Sequence, residues 1–141
     1  EIFTLGVDTR SGALEILDST DALGTSTCYI TIDNEARNML IVNYWDASIH
    51  VFRLDARGHI VEHRSKYDPN AGRSMVAKAG LGFGGRVNHS ENDAIAQAER
   101  QADPHSHAII LDKIYGRIAY VPDLGSDTVH QFCFDPDTGT L

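Results

Sequence analysis

An apolar strand, an aspartate, a tight glycine turn and a second strand restarting on an aliphatic residue recur along this chain. Asp8-Thr-Arg-Ser-Gly12-Ala-Leu14 is echoed by Asp135-Pro-Asp-Thr-Gly139-Thr-Leu141 and by the shorter Asp55-Ala-Arg-Gly58-His-Ile60. Each reads as a hairpin, because Asp and Gly supply the side-chain cap and the permissive backbone that a tight turn needs. Upstream of the turns, Ser48-Ile-His-Val-Phe-Arg-Leu-Asp55 parallels Thr128-Val-His-Gln-Phe-Cys-Phe-Asp135, and Asp33 and Arg37 parallel Asp112 and Arg117. The spacing from Asp8 to Asp55 is 47 residues, and that from Asp55 to Asp135 is 80, one such period plus an insertion.

The segments between turns are short and rich in β-branched and aromatic residues. Ile2–Asp8, Ala13–Leu17, Tyr29–Asp33, Met39–Tyr44, Ile49–Asp55, Ile60–Arg64, Ala108–Asp112, Ile118–Pro122 and Val129–Asp135 are expected as strands. Only Asn92–Gln101, with Ala94, Ala96 and Ala98 among polar helix formers and Asp93 as a cap, reads as a helix. A period in the forties with four strands per unit is the signature of a β-propeller blade. The expected fold is therefore all-β: residues 1–25 end one blade, 26–66 form a full blade, 67–104 are an insertion, and 105–141 start the next blade. Propellers close with at least four blades, so the chain is expected to be part of a longer protein whose remaining blades complete the ring. A β-sandwich of irregular strands is the competing architecture.

Composition narrows the function classes. With 42% hydrophobic and 23% charged residues the balance is that of a water-soluble domain. A net charge of −8 argues against a nucleic-acid partner, since a phosphate backbone would be repelled. No apolar run approaches the roughly 18 residues of a membrane span. The first residues, Glu1-Ile-Phe-Thr, show no signal-peptide pattern and read as the middle of a strand. Cys28 and Cys133 each sit in an apolar run and are expected as buried free thiols, which points to a reducing, cytoplasmic setting.

The unusual chemistry lies in and beside the insertion. Gly80-Leu-Gly82-Phe-Gly84-Gly85 fits the G-x-G-x-x-G pattern, but it lacks the strand before and helix after that a dinucleotide site requires, so it is read as a loop. Arg73, Lys78, Arg86 and Arg100 give this stretch local positive charge suited to a carboxylate or phosphate, or are solvated surface residues. His105 and His107, two apart, would share a face of a strand. A zinc ion would need further ligands from His89, Glu91 or Glu99, and no H-E-x-x-H or C-x-x-C spacing accompanies them, so no metal or other cofactor is expected. His107 directly precedes an innermost strand and so falls at the mouth of the central channel, where an imidazole near Arg100 and Glu99 suits acid–base work.

Cys28-Tyr-Ile-Thr-Ile-Asp33, Met39-Leu-Ile-Val-Asn-Tyr44 and Ile49-His-Val-Phe-Arg-Leu-Asp55 resemble a blade of the seven-bladed propeller lactonases, a family that includes propeller-type 6-phosphogluconolactonases and 3-carboxy-cis,cis-muconate cyclases. Glu99-Arg-Gln-Ala-Asp-Pro-His-Ser-His107 is similar to the family's E-R-Q-x-x-P-H-x-H, and Val121-Pro-Asp-Leu-Gly-Ser-Asp127 to its V-P/A-D-L-G-x-D. The resemblance implies a metal-free enzyme acting on a small anionic lactone or carboxylate. It implies His107 as acid or base, Arg100 holding substrate charge, Glu99 orienting either of them, and His105 shaping the mouth. Asn43 and Asp123 match polar strand ends, either touching substrate or making turn hydrogen bonds; Tyr29 and Arg86 complete the candidate binding residues. One departure stands out: the family's P-C-H reads Thr27-Cys28-Tyr29 here, and tyrosine does not serve as an imidazole-like base near neutral pH. Hydrolysis of a sugar-acid lactone is thus the first expectation, with a muconate-lactonising isomerase and a non-catalytic binding platform as the alternatives.

Overall fold

The computed structural model describes residues 1–71 and 101–141. Among the described residues nine strands form three antiparallel sheets. Strands β1 (Ile2–Val7) and β2 (Leu14–Thr20) make a hairpin. Strands β3 (Thr27–Ile32), β4 (Asn38–Asn43), β5 (Ile49–Leu54) and β6 (Ile60–Tyr67) form a four-stranded meander in chain order. Strands β7 (Ile110–Leu111), β8 (Ile118–Asp123) and β9 (Thr128–Cys133) repeat its first three strands. One complete blade lies between two incomplete ones, as the repeat predicts.

Strand β4 explains how the sheets stack. All six of its residues are buried, so its near-continuous apolar run is covered on both faces, as expected of a strand inside a layered core. Met39 and Ile41 point to one side and pack with Phe52, Leu54, Ile2 and Ala22. Leu40 and Val42 point to the other and join Ile49, Val51, Ile109, Leu111, Ala119, Val121 and Phe134. The period-2 alternation of one strand thus feeds two separate cores, one against each neighbouring sheet. Polar ties reinforce the second contact: Arg37 Nη2 meets Asp137 at 2.9 Å, Asn38 Nδ2 donates to the Pro136 carbonyl at 2.8 Å, and Ser65 Oγ donates to the Gly139 carbonyl at 2.7 Å.

Strands alternate in direction, so the connections sort to two ends. The turns led by Asp8, Asp33, Asp55, Asp112 and Asp135 share one end. Each carboxylate accepts from backbone N–H groups two to six residues on, for example Arg10, Arg37, Arg57, Tyr115 and Asp137. In four of them, Asp8, Asp55, Asp112 and Asp135, these bonds hold the carboxyl below the ordinary aspartate range, Asp112 at about 2. The other end, the rim, carries the β4–β5 and β8–β9 turns and the segments that lead into β3 and β7.

Two expectations need correction. The innermost strand predicted over Ala108–Asp112 is reduced to Ile110–Leu111, because its register slips by one residue between the Ser106–Asp123 bridge and the Ile110–Tyr120 pair. The same slip occurs between Thr27–Asn43 and Tyr29–Val42. Cys28 and Cys133 are free, but both are exposed rather than buried: Cys28 sits at the slip in β3, and Cys133 lies on the uncovered face of β9. The helix expected over Asn92–Gln101 lies, apart from Gln101, outside the described residues, as does the glycine-rich Gly80–Gly85.

Candidate functional site

The shared slip sets up the site. Counting from the paired residues, Asn43 and Asp123 end equivalent strands, and Thr27 and Ser106 face them across the register break. Thr27 Oγ1 donates to Asn43 Oδ1 at 2.6 Å and Ser106 Oγ to Asp123 Oδ2 at 2.9 Å, the same bond in two sheets. The residue after each hydroxyl is Cys28 in one sheet and His107 in the other, while Tyr29 corresponds to Ala108. The Cys28 Sγ lies 3.5 Å from the His107 carbonyl oxygen, so the beginnings of the two innermost strands lie side by side. Partial burial there pushes the Cys28 thiol up.

His107 lies on this rim. Its backbone N–H donates to the Pro122 carbonyl at 3.0 Å. Its exposed ring stands edge-on to Tyr44, with centroids 5.5 Å apart. It borders an open hollow of about 430 Å³ with Pro122, Asp123, Leu124, Asp127, Thr128 and Val129. His105, two residues earlier, is instead buried and lies flat on the other contact of Tyr44, at 4.8 Å and 11° between planes, with Nδ1 3.3 Å from the Tyr44 carbonyl.

Asp123 and Asn43 are buried and fully engaged by the protein. Asp123 accepts from the His105 N–H at 3.1 Å, the Ser106 hydroxyl, and the Ser126 N–H at 2.8 Å and hydroxyl at 3.0 Å. Burial works to raise its carboxyl, but the donors from Ser126, His105 and Ser106 prevail and hold it below the ordinary range. Asn43 accepts from Thr27 and donates to the Ala22 carbonyl at 3.3 Å and Ser48 Oγ at 3.0 Å. Both side chains make the hydrogen bonds of their turns, and Asp123 also borders the hollow. Tyr29 is 38% exposed near the start of β3. Arg86, Glu99 and Arg100 lie outside the described residues, as do Arg73, Lys78, His89 and Glu91. No group of three or more metal-ligating side chains converges among the described residues.

Two rim residues are not among the candidate site residues taken from the sequence. Tyr44 contacts Trp45, His105 and His107, and Trp45 also stands edge-on to His105 at 5.3 Å. An adjacent aromatic pair just after an apolar strand, at a position where the parallel segment has Leu124-Gly125, is the signal that marks them.

A model of the family described as "Lactonase, 7-bladed beta-propeller" matches residues 1–141. The chain belongs to this family of propeller lactonases. Among curated relatives, the 6-phosphogluconolactonase of Formosa agariphila is 25% identical over 132 residues, covering 94% of this chain and 31% of the relative. This propeller-lactonase chain therefore spans about a third of the relative's length. Two solved structures have the same fold. A candidate 6-phosphogluconolactonase from Bacteroides fragilis has a TM-score of 0.65 at 24% identity, over 94% of this chain and 30% of that one. The periplasmic gluconolactonase of Pseudomonas aeruginosa has a TM-score of 0.66 at 20% identity, over 94% of this chain and 31% of that one.

Proposed function

We propose that these blades belong to a lactonase that opens a sugar-acid lactone of the 6-phosphogluconolactone type, with His107 as the acid–base residue. The observation that carries the reading is the placement of His107: an exposed imidazole at the start of an innermost strand, braced by Tyr44 and bordering the rim hollow. Family membership and the name of the Formosa agariphila relative support the substrate class.

In this reading a water oxygen attacks the lactone carbonyl while His107 takes the water proton. The tetrahedral intermediate collapses with cleavage of the ring carbon–oxygen bond, and the imidazolium returns the proton to the departing alkoxide, giving the hydroxy acid. Arg100 would hold substrate charge and Glu99 would orient it or His107, with Arg86 as a further cation and Tyr29 as a further substrate contact. We place the site in the closed wheel of which this chain contributes the His107 rim, and in the cytoplasm, where the two free exposed thiols would remain reduced.

The test is a pH-stat assay of the closed protein on 6-phosphogluconolactone and on gluconolactone, with a carboxymuconate as comparison. His107→Gln is expected to lower kcat by about 10²-fold or more, the usual contribution of a positioned acid–base group. Unchanged turnover in that variant would remove His107 from the mechanism. Turnover of the muconate alone would replace hydrolysis by lactonising isomerisation, and binding without turnover would leave a recognition platform.

A further inference from the structure

Trp45 is the chain's only tryptophan, and it is 60% exposed. A large ring left that open on the rim requires a reason, because burying it elsewhere would be favourable. The turn does not require it. Asn43 and Asp123 end equivalent strands, Ala47 and Asp127 take the same left-handed conformation with φ of 51° and 53°, and in the second turn the place of Trp45 is filled by Gly125. The same backbone forms with no side chain at all.

The indole is nonetheless held. Its ring stands edge-on to Tyr44 at 5.0 Å and 78° and to His105 at 5.3 Å and 86°. Its backbone N–H donates to the Thr25 carbonyl at 3.3 Å, and the preceding Tyr44 N–H donates to Ser26 at 2.9 Å. Edge-on packing at one side leaves indole surface free, and a pre-ordered ring loses little entropy on binding. Tyr44, which braces Trp45, also braces His107.

We propose that Trp45 is a stacking platform for the C–H face of a pyranose, orienting a sugar lactone toward His107 and making this rim selective for sugar acids over simple carboxylates. This inference rests on the lactone reading and adds to it a residue that determines substrate class. The π-face of an indole is electron-rich and attracts the slightly positive C–H bonds of a sugar ring, whereas an acyclic dicarboxylate offers it only a short chain.

The difference in tryptophan emission between the protein and its Trp45→Phe variant isolates the signal of this residue, and titration with methyl β-D-glucuronoside, a locked pyranose carrying a carboxylate, and with succinate reads the platform directly. Emission is expected to change with the glucuronoside and not with succinate. The Trp45→Ala variant is expected to raise KM for the sugar lactone about tenfold, with kcat changed much less, while Trp45→Phe stays within about threefold. Silent emission together with a Trp45→Ala KM within about twofold of the parent, at undiminished turnover, overturns the platform and leaves the lactonase standing. Silent emission with no lactone turnover overturns both. A glucuronoside-specific emission change without turnover supports the platform and removes the hydrolysis.

Discussion

Four donors converge on the Asp123 carboxylate, and in the neighbouring sheet Asn43 does the equivalent work with one carbonyl oxygen and one amide. This internal comparison predicts what substitution costs. Asp123→Ala strands two backbone N–H groups and is expected to lose about 3 kcal/mol, whereas Asp123→Asn keeps an acceptor for them and lets the Ser106 hydroxyl rotate, losing about 1 kcal/mol. The sign of the pH effect follows from the lowered carboxyl. A depressed folded value stabilises the protein above the ordinary aspartate value near 3.8, and that contribution disappears as pH falls through the folded value. Urea unfolding at neutral pH and near pH 3 should therefore show a shallower acid loss in Asp123→Asn than in the parent; equal acid loss would refute the assignment. At this scale His107 was legible, since one motif fixes its place before an apolar strand. Tyr44 and Trp45 were not, because their meaning comes from His105, 61 residues beyond Tyr44, brought to them only when two sheets dock.

Hairpins were read well because each is encoded locally, by an aspartate that accepts from its own turn and an aliphatic residue that restarts the strand. The register slip before β7 was not, since it depends on how the incoming segment lies against β8. Gly125 shows this dependence: a methyl group there would overlap the Asp103 carbonyl oxygen and crowd the Pro104 Cα. The glycine of the Val121–Asp127 stretch thus lets the incoming chain press against the β8–β9 turn, which in turn seats His105 over Tyr44. Gly125→Ala is expected to lose about 2 kcal/mol through overpacking and to displace the His105–His107 segment from Tyr44. Gly12, at the opposite end with φ of +74° and open space around its added methyl, is the control. Gly12→Ala should lose about 1 kcal/mol from backbone strain alone. NMR chemical shifts of the His105 and His107 rings distinguish the two: they move in the Gly125 variant and hold still in the Gly12 variant. Movement in neither would mean that the close approach does not position the rim.

Across the molecule, the repeat in the sequence predicts the stacked sheets but says nothing about which faces remain open. On the first hairpin, Phe3, Leu5, Val7, Leu14 and Ile16 share the face opposite Ile2, and each is at least 45% exposed. Facing pairs Leu5–Ile16 and Val7–Leu14 make this a continuous apolar surface, and such surfaces mark contacts with another element or chain. In a seven-bladed wheel such a face meets the next blade, as Ile2 and Ala22 meet Met39 and Phe52 on the covered side. Two opposite consequences of one substitution follow. Replacing the facing pair by Leu5→Lys and Ile16→Glu puts opposite charges across the hairpin, which the strands tolerate. In the 141-residue chain this double variant should reduce self-association and binding of a hydrophobic dye, with little change in unfolding midpoint. In the closed wheel the same pair would bury two charges against a neighbouring blade and should destabilise strongly. Sedimentation velocity with dye binding on the short chain, and thermal unfolding of the closed protein, read the two arms. A chain already monodisperse and dye-free, or a closed protein indifferent to the charges, would mean that this face is not a blade contact.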